Sequence, residues 1–203
     1  GTPRKHMTKG ETALQAHVTA AYGNDGFAYF PGCFPIDFTF NPDMKYSEEG
    51  AGGLIDMNGN KAEVYDWVKE VNEFFALIQD DILSSELKGV TSYGEYHNGF
   101  TEDEIKDLPD NECIFRGVLP NELRFVDDGV KVVSENEIML SVFVRSEKRR
   151  YYAVNLSSVF KNKVKMTFPA GEYEVIRNTT ESLSDGMVEL TLNEGEGIYI
   201  KEL

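Results

Sequence analysis

The sequence predicts an α+β protein, because two helical patterns near the start of the chain precede a long run of short strands. Apolar residues recur at helical spacing within residues 8–22 and 64–82, and a short apolar run lies between these segments. From about Cys113 onward, apolar and polar residues alternate, with Gly, Asn and Asp at the breaks. About nine short strands follow, which predicts an all-β antiparallel sandwich.

The first helix is predicted to begin at Thr8, because Thr8 and Glu11 have the spacing of a capping box. Gly23 is expected to end it. Turn residues 24–26 then lead to the apolar run Phe27–Phe30, which is typical of a strand buried on both faces. The predicted order is therefore helix, tight turn and buried strand.

Residues 31–53 contain three prolines and four glycines, which predicts a long irregular loop. Residues 56–60 are predicted to form a turn. They faintly resemble a calcium-binding loop, but Trp67 stands where the closing Glu of such a loop would be, which favours the turn. The second helix follows, and Trp67 is expected in its core-facing stripe. That stripe consists of Val64, Trp67, Val68, Val71, Phe75, Ile78 and Ile82.

Residues 84–112 are predicted to connect the helical part to the β-domain. The expected strands are 114–118, 123–126, 130–133, 137–145, 149–155, 163–168, 171–177, 187–192 and 197–201. Hairpin turns or short connections are expected at 127–129, 146–148, 169–170 and 184–186.

The charge of the chain excludes some classes of partner. Lys and Arg number 20 and Asp and Glu 35, which gives a net charge of −15. Such a surface repels phosphate backbones, so neither nucleic acid nor an anionic membrane is an expected partner. Neutral ligands such as sugars, or bound cations, suit it better, although solubility alone also explains the charge. No apolar run approaches the ~18 residues of a membrane span, and the compartment stays open.

The sequence predicts no metal, cofactor or nucleophilic site. Cys33 and Cys113 lack metal-ligand spacing and are interpreted as buried free thiols. His6, His17 and His97 have no carboxylate or cysteine partner at ligand spacing.

The predicted strand at Phe27–Phe30 raises a question of pairing. A strand buried on both faces needs neighbours on both sides for its backbone groups, and the N-terminal part offers none. Either another chain supplies them, or residues 1 to about 90 are the end of a larger α/β domain.

Five segments together carry a resemblance to a known family. They are Glu11-Thr-Ala-Leu-Gln15, Ala20-Ala-Tyr-Gly23, Gly26-Phe-Ala-Tyr-Phe30, Leu54-Ile-Asp56 with Gly59, and Tyr65-Asp-Trp-Val-Lys-Glu-Val-Asn72. Over roughly residues 11–93 the chain resembles the end of the (β/α)8 barrel of β-galactosidase-like glycoside hydrolases. The resemblance implies a seventh helix, eighth strand and eighth helix, followed by a C-terminal β-sandwich. It divides the chain into an incomplete barrel-derived segment at 1–98 and the sandwich at 99–203.

The resemblance also implies that this chain carries no catalytic residue. In that family the two catalytic carboxylates stand at the ends of the fourth and seventh strands, before the point where this sequence begins. Retaining glycosidases need both carboxyl groups, ~5–5.5 Å apart, flanking the glycosidic bond. The chain alone is therefore expected to be inactive. Its expected substrate is an oligosaccharide or glycoside, which would bind to the parent enzyme.

Substrate-binding residues are expected in the last loop of such a barrel, here residues 30–53. Phe30 and Phe34 are candidate walls for a sugar ring, and Asp37 is a candidate acceptor for sugar hydroxyls. Further candidates are Phe38, Phe40 and Asp43. The competing interpretation makes the phenylalanines loop core and the aspartates turn residues.

Three features of the β-domain are interpreted as structural, without a functional role. Tyr151 and Tyr152 must point to opposite faces of one strand, which leaves at most one exposed. The basic cluster of Arg145 and residues 148–150 is interpreted as a solvated hairpin or an interface with the missing barrel. Asn155 and Asn178 each begin a glycosylation sequon, a short pattern that often occurs in sequences by chance.

Three functions remain open from the sequence. The leading hypothesis is the C-terminal part of a glycoside hydrolase, completing the barrel cleft and bracing it with the sandwich. The alternatives are a non-catalytic carbohydrate-binding module and a structural protein that self-associates around Phe27–Phe30 as a homo-oligomer.

Overall fold

The computed structural model describes residues 7–29, 54–55, 59–93, 129–178 and 180–203. Within these ranges it contains two helices, α1 (Lys9–Ala21) and α2 (Glu63–Ile82). The strands are β1 (Glu86–Tyr93), β2 (Lys131–Ser134), β3 (Ile138–Arg145), β4 (Lys148–Asn155), β5 (Asn162–Thr167), β6 (Tyr173–Arg177), β7 (Thr180–Ser184), β8 (Met187–Leu192) and β9 (Gly197–Glu202). The strands expected at 114–118 and 123–126 lie outside the described residues.

Both ends of α1 confirm the sequence prediction. The Thr8 hydroxyl accepts a hydrogen bond from the Glu11 backbone N–H at 3.2 Å, and the Glu11 carboxylate accepts one from the Thr8 N–H at 2.8 Å. This reciprocal pair is the predicted capping box. The helix ends before Gly23, whose φ of +74° lies in the left-handed region that glycine adopts without strain.

The prediction of a strand at Phe27–Phe30 is wrong for residues 27–29, which form no strand in the described chain. Phe27 and Ala28 are exposed, and the Phe27 ring packs edge-on against Phe75 of α2, with ring centroids 5.1 Å apart. No described strand lies beside this segment, so its apolar side chains pack on a helix instead of entering a sheet.

The predicted antiparallel sandwich is confirmed. Within the described residues, one sheet has six strands in the order β1-β3-β4-β9-β6-β7, and the other has three in the order β2-β5-β8. All described pairings are antiparallel. The β3–β4 hairpin turns through Ser146 and Glu147, both with positive φ, as a two-residue hairpin loop requires.

Two strands were not predicted. The first is β1, which lies within the expected connection 84–112 and pairs along the whole length of β3. The second is β7, which forms the edge of the larger sheet beside β6. Because β7 and β8 belong to different sheets, residues 184–186 connect the two layers and do not form a hairpin.

The molecule has three layers, because the helices cover the face of the larger sheet that points away from the smaller sheet. The core between the sheets contains Val142, Tyr151 and Ile200, whereas the core below the helices contains Phe143, Tyr152 and Phe74. Position 98 is the predicted boundary between the barrel-derived segment and the sandwich. Residues before and after this position share the larger sheet and contribute to both cores. The barrel origin of residues 1–98 stays a prediction.

Candidate functional site

The substrate-binding residues predicted from the sequence, Phe30, Phe34 and Asp37, lie outside the described residues. The same is true of Phe38, Phe40, Asp43, Cys33, Cys113 and Asp56. The described chain does contain another concave site, which the sequence analysis did not anticipate.

This site is a cleft of about 240 Å³ between the helix pair and the sandwich. Lys9, Ala13 and His17 of α1 line it at a spacing of four residues, so they share one helix face. Trp67 and Glu70 line it from α2. These residues place one side of the cleft on the two helices.

The opposite side of the cleft comes from loops that join strands of the sandwich. Its polar residues are Lys161, Asn178, Asn193, Glu194 and Glu196. Asn178 has a φ of +49°, in the left-handed region that asparagine tolerates better than most residues. The lining therefore combines amide, carboxylate and ammonium groups with aromatic rings.

His17 lies at the base of the cleft and is 4% exposed. Its Nδ1 forms a hydrogen bond with the Tyr152 hydroxyl at 2.7 Å, and its ring packs edge-on against Phe74. Burial lowers the pKa of His17 to about 4, against a smaller opposing effect of the nearby Glu196 charge. The imidazole is therefore neutral at physiological pH.

Sequence reasoning gave His17 no partner because Tyr152 is 135 positions away. Gly197 makes their approach possible, since a Cβ at this position would lie 2.5 Å from His17 Nδ1. Neither residue carries a local signal that could have revealed the pair.

Glu196 lies below α1 and is 5% exposed. Arg177 binds it in bidentate fashion, with Nε 2.7 Å from Oε1 and Nη2 2.9 Å from Oε2. The Asn193 backbone N–H also donates to Oε2 at 2.6 Å. The bonds to Glu196 raise the pKa of Arg177 and fix the loop that forms one side of the cleft.

The expectation that Trp67 packs in the core is wrong, because Trp67 is half-buried and lines the cleft. One turn later, Val71 packs against Ala13 and Ala16 of α1, and Phe74 is buried below the helices. The cleft opens at the turn of α2 that precedes these contacts. A helical stripe does not by itself distinguish a core position from one beside a cleft.

A second polar cluster holds the other end of α2 on the sheet. Asp81 accepts hydrogen bonds from Arg145 and Arg150, both at 2.6 Å, and from the Tyr199 hydroxyl at 2.9 Å. Burial alone would raise the pKa of Asp81, but these donors outweigh it and hold the pKa below its ordinary value. Burial and the Asp81 carboxylate raise the pKa of Tyr199, which stays protonated.

The interpretation of the basic cluster as a solvated hairpin is wrong for Arg150, which is 9% exposed and bound to Asp81. Its guanidinium is desolvated because it lies between α2 and the sheet. The sequence could not reveal this, since Asp81 looks like any polar residue near the end of a helix.

The sequon at Asn155 is not a glycan acceptor in the folded chain. Asn155 is fully buried, and its amide donates to the carbonyl oxygens of Phe160 and Asn193, both at 2.8 Å. Asn178, the other sequon asparagine, lies half-buried beside the cleft.

Within the described ranges, no group of three or more His, Cys, Asp or Glu side chains is arranged to hold a metal ion. Neither described helix combines the length and apolarity needed to cross a membrane.

The chain was also compared with known proteins. No protein-family model matches it, and no significant match to a curated protein was found.

Proposed function

We propose that this chain is the C-terminal part of a glycoside hydrolase, in which it completes a barrel cleft and braces it with the β-sandwich. The observation that carries the proposal is the segment at residues 27–29. It has the composition of a doubly buried strand, yet Phe27 and Ala28 are exposed and no described strand pairs with it. Such a segment fits a chain whose neighbouring strands come from a larger barrel.

The polar contacts below the helices support the bracing part of this proposal. One contact, between His17 and Tyr152, attaches α1 to β4. The other, centred on Asp81, attaches the end of α2 to β3, β4 and β9. A sandwich that holds both helices in this way would fix the ends of the segment between them.

In this proposal the loop at residues 30–53 contacts the sugar through Phe30, Phe34 and Asp37. The catalytic carboxylates come from the preceding part of the barrel. The chain by itself has no turnover, because hydrolysis with retention needs two carboxyl groups flanking the glycosidic bond.

The first test is to sequence the source DNA upstream of the codon for Thr2. The proposal expects an open frame for the rest of a barrel of ~250 residues, with two carboxylates at the ends of its strands. A stop codon and a start codon close to Thr2 would contradict it. So would turnover of aryl glycosides by the 203-residue chain.

The second test uses the longer enzyme that such a frame encodes. Phe34→Ala and Asp37→Ala should each raise KM for an aryl glycoside by about tenfold, corresponding to about 1.4 kcal/mol of lost binding. Phe160→Ala is the matched control, since Phe160 is 64% exposed on the sandwich and should leave KM unchanged.

Self-association is a second candidate function, and the exposed Phe27 and Ala28 favour it specifically. Two copies that pair through residues 27–29 would satisfy the same backbone groups. Sedimentation over a wide concentration range separates the two candidates: a dimer that loses its fold on dilution supports self-association, and a stable dilute monomer contradicts it.

A further inference from the structure

The cleft between the helices and the sandwich is lined by charged side chains of both signs. The lining contains two lysines, Lys9 and Lys161, and three glutamates, Glu70, Glu194 and Glu196. Lys9 Nζ lies 2.5 Å from Glu70 Oε2, and Glu196 is bound by Arg177, which stands behind the lining, in the bidentate pair described above. With Arg177 counted, three positive and three negative groups surround the cleft, although the chain has a net charge of −15.

This balance disfavours a charged ligand. A phosphate or carboxylate would meet Glu70 and Glu194 without a dominant cationic group, and a metal cation would meet two lysines. His17 adds no charge, because its buried imidazole is neutral. The electrostatics of the cleft therefore favour a neutral ligand.

The polar groups of the cleft suit a ligand that both donates and accepts hydrogen bonds. The side chains of Asn178 and Asn193 each offer an amide donor and a carbonyl acceptor. Glu70 adds an acceptor and Lys161 a donor. A hydroxyl group is a small neutral group that uses both kinds of partner.

Trp67 supplies an apolar surface beside these polar groups. It is half-buried, lines the cleft and lies outside the hydrophobic clusters of the described chain. An indole can pack against an apolar C–H face while neighbouring side chains bind hydroxyls. A pyranose presents both an apolar C–H face and a ring of hydroxyl groups.

We propose that this cleft binds a neutral saccharide, with Trp67 against the sugar ring and with Glu70, Asn178 and Asn193 on its hydroxyls. The site is non-catalytic and uses none of the residues 30–53. It needs both the helices and the sandwich, since Trp67 comes from α2 and Asn178 follows β6. It does not depend on the glycosidase proposal, because it uses described residues alone.

The chain has a single tryptophan, so its fluorescence reports on this cleft alone. The full chain is titrated with galactose, glucose, mannose, xylose, lactose and cellobiose, with excitation at the red edge of the tryptophan band. The proposal expects a saturable change with at least one of these sugars. Side-chain amide resonances of Asn178 and Asn193 should shift over the same concentration range.

A matched pair of variants tests whether the response comes from the cleft. Glu70→Gln should weaken binding about tenfold, the loss expected when a charged hydrogen-bond partner becomes neutral. Glu189→Gln is the control. The side chains of Glu189 and Glu70 are 48% and 46% exposed, and each pairs with a lysine, but Glu189 lies on β8 of the smaller sheet and does not line the cleft. Asn178→Gly, which removes the amide and keeps the left-handed backbone of this position, should weaken binding to a similar extent as Glu70→Gln.

Three results would overturn this proposal. The first is that neither the fluorescence of Trp67 nor the two amide resonances respond to any sugar at millimolar concentration. The second is equal weakening by Glu70→Gln and Glu189→Gln. The third is a response to inorganic phosphate or succinate in place of the sugars. None of these results bears on whether an upstream barrel exists, so the two proposals fail independently.

Discussion

The two faces of the six-stranded sheet are held to their neighbouring layers in different ways, as the adjacent residues Tyr151 and Tyr152 of β4 illustrate. Both are fully buried. Tyr151 packs into the core between the sheets, where its ring lies 4.7 Å from that of Phe168. Tyr152 points to the helices and forms a hydrogen bond with His17.

This difference extends over the whole sheet. The core between the sheets consists of apolar and aromatic side chains. The layer below the helices adds two directional contacts, the His17 pair and the hydrogen bonds to Asp81. Apolar burial supplies stability but tolerates shifts in packing, whereas directional hydrogen bonds fix one position. We infer that the polar contacts determine where α1 and α2 lie on the sheet.

The largest expected effect comes from Asp81→Ala, which removes the carboxylate that accepts hydrogen bonds from Nε of the desolvated Arg150 and from the Tyr199 hydroxyl. Removal of one partner of a buried ion pair is strongly destabilising, and we expect the free energy of unfolding to fall by about 3 kcal/mol. Urea unfolding measures this change. Arg145→Ala is the comparison, since this more exposed partner should contribute about 1 kcal/mol or less. Equal losses would contradict the assignment of Arg150 as the buried member.

The next effect is a dependence of stability on pH that arises from His17. Its pKa is about 4 in the folded chain and 6.5 without burial, so the unfolded chain binds the extra proton between these values. The free energy of unfolding should therefore fall by about 3 kcal/mol as the pH is lowered from 6.5 to 4. Thermal unfolding across this range tests the prediction.

His17→Asn is the control for this pH dependence, because its amide can still bond Tyr152 but does not titrate. Its stability should be nearly flat between pH 6.5 and 4. The lowered pKa of Asp81 acts mainly below this window, since most of the stability from such a carboxylate is lost as the pH falls below the ordinary value of 3.8. A wild-type profile as flat as that of the variant would contradict the prediction.

A smaller effect is expected from Gly197→Ala. The added Cβ would lie 2.5 Å from His17 Nδ1 and 3.1 Å from Tyr152 Cε1, so the His17 ring or the helix α1 that carries it must shift. Overpacking of this kind costs about 2 kcal/mol, measurable by urea unfolding. Gly26→Ala is the matched control, because a Cβ at that position meets nothing within 4 Å. A stable Gly197→Ala variant with an unchanged His17 ring resonance would show that α1 is held less closely than the structure indicates.

The smallest effect is expected from Glu70→Gln, which removes the exposed pair with Lys9 at the mouth of the cleft. Exposed ion pairs contribute little, so the free energy of unfolding should change by less than about 1 kcal/mol. Glu189→Gln, on the smaller sheet, should also change the free energy of unfolding by less than about 1 kcal/mol. A large loss for Glu70→Gln alone would mean that Glu70 is needed for helix packing.

The sequence determined the elements whose signals are local. The capping box at Thr8 and Glu11, the helix over 63–82 and the strands from 131 onward, except β7, follow from the spacing of neighbouring residues. The β-sandwich followed from the repetition of short alternating strands. For the loop at 30–53 the sequence offers candidate sugar-binding residues, and these stay predictions.

Contacts between distant residues depend on how the chain packs in three dimensions. The strand β1 was missed because it is stabilised by pairing with β3, some 50 positions away in the chain. Trp67 lies beside a cleft because the sandwich loops that follow β6 and β8 form the other side of that cleft. His17 and Asp81 gain their roles from Tyr152 and Arg150, which are 135 and 69 positions distant. Periodicity records which face of an element is buried, but the partner across that face depends on how distant segments pack.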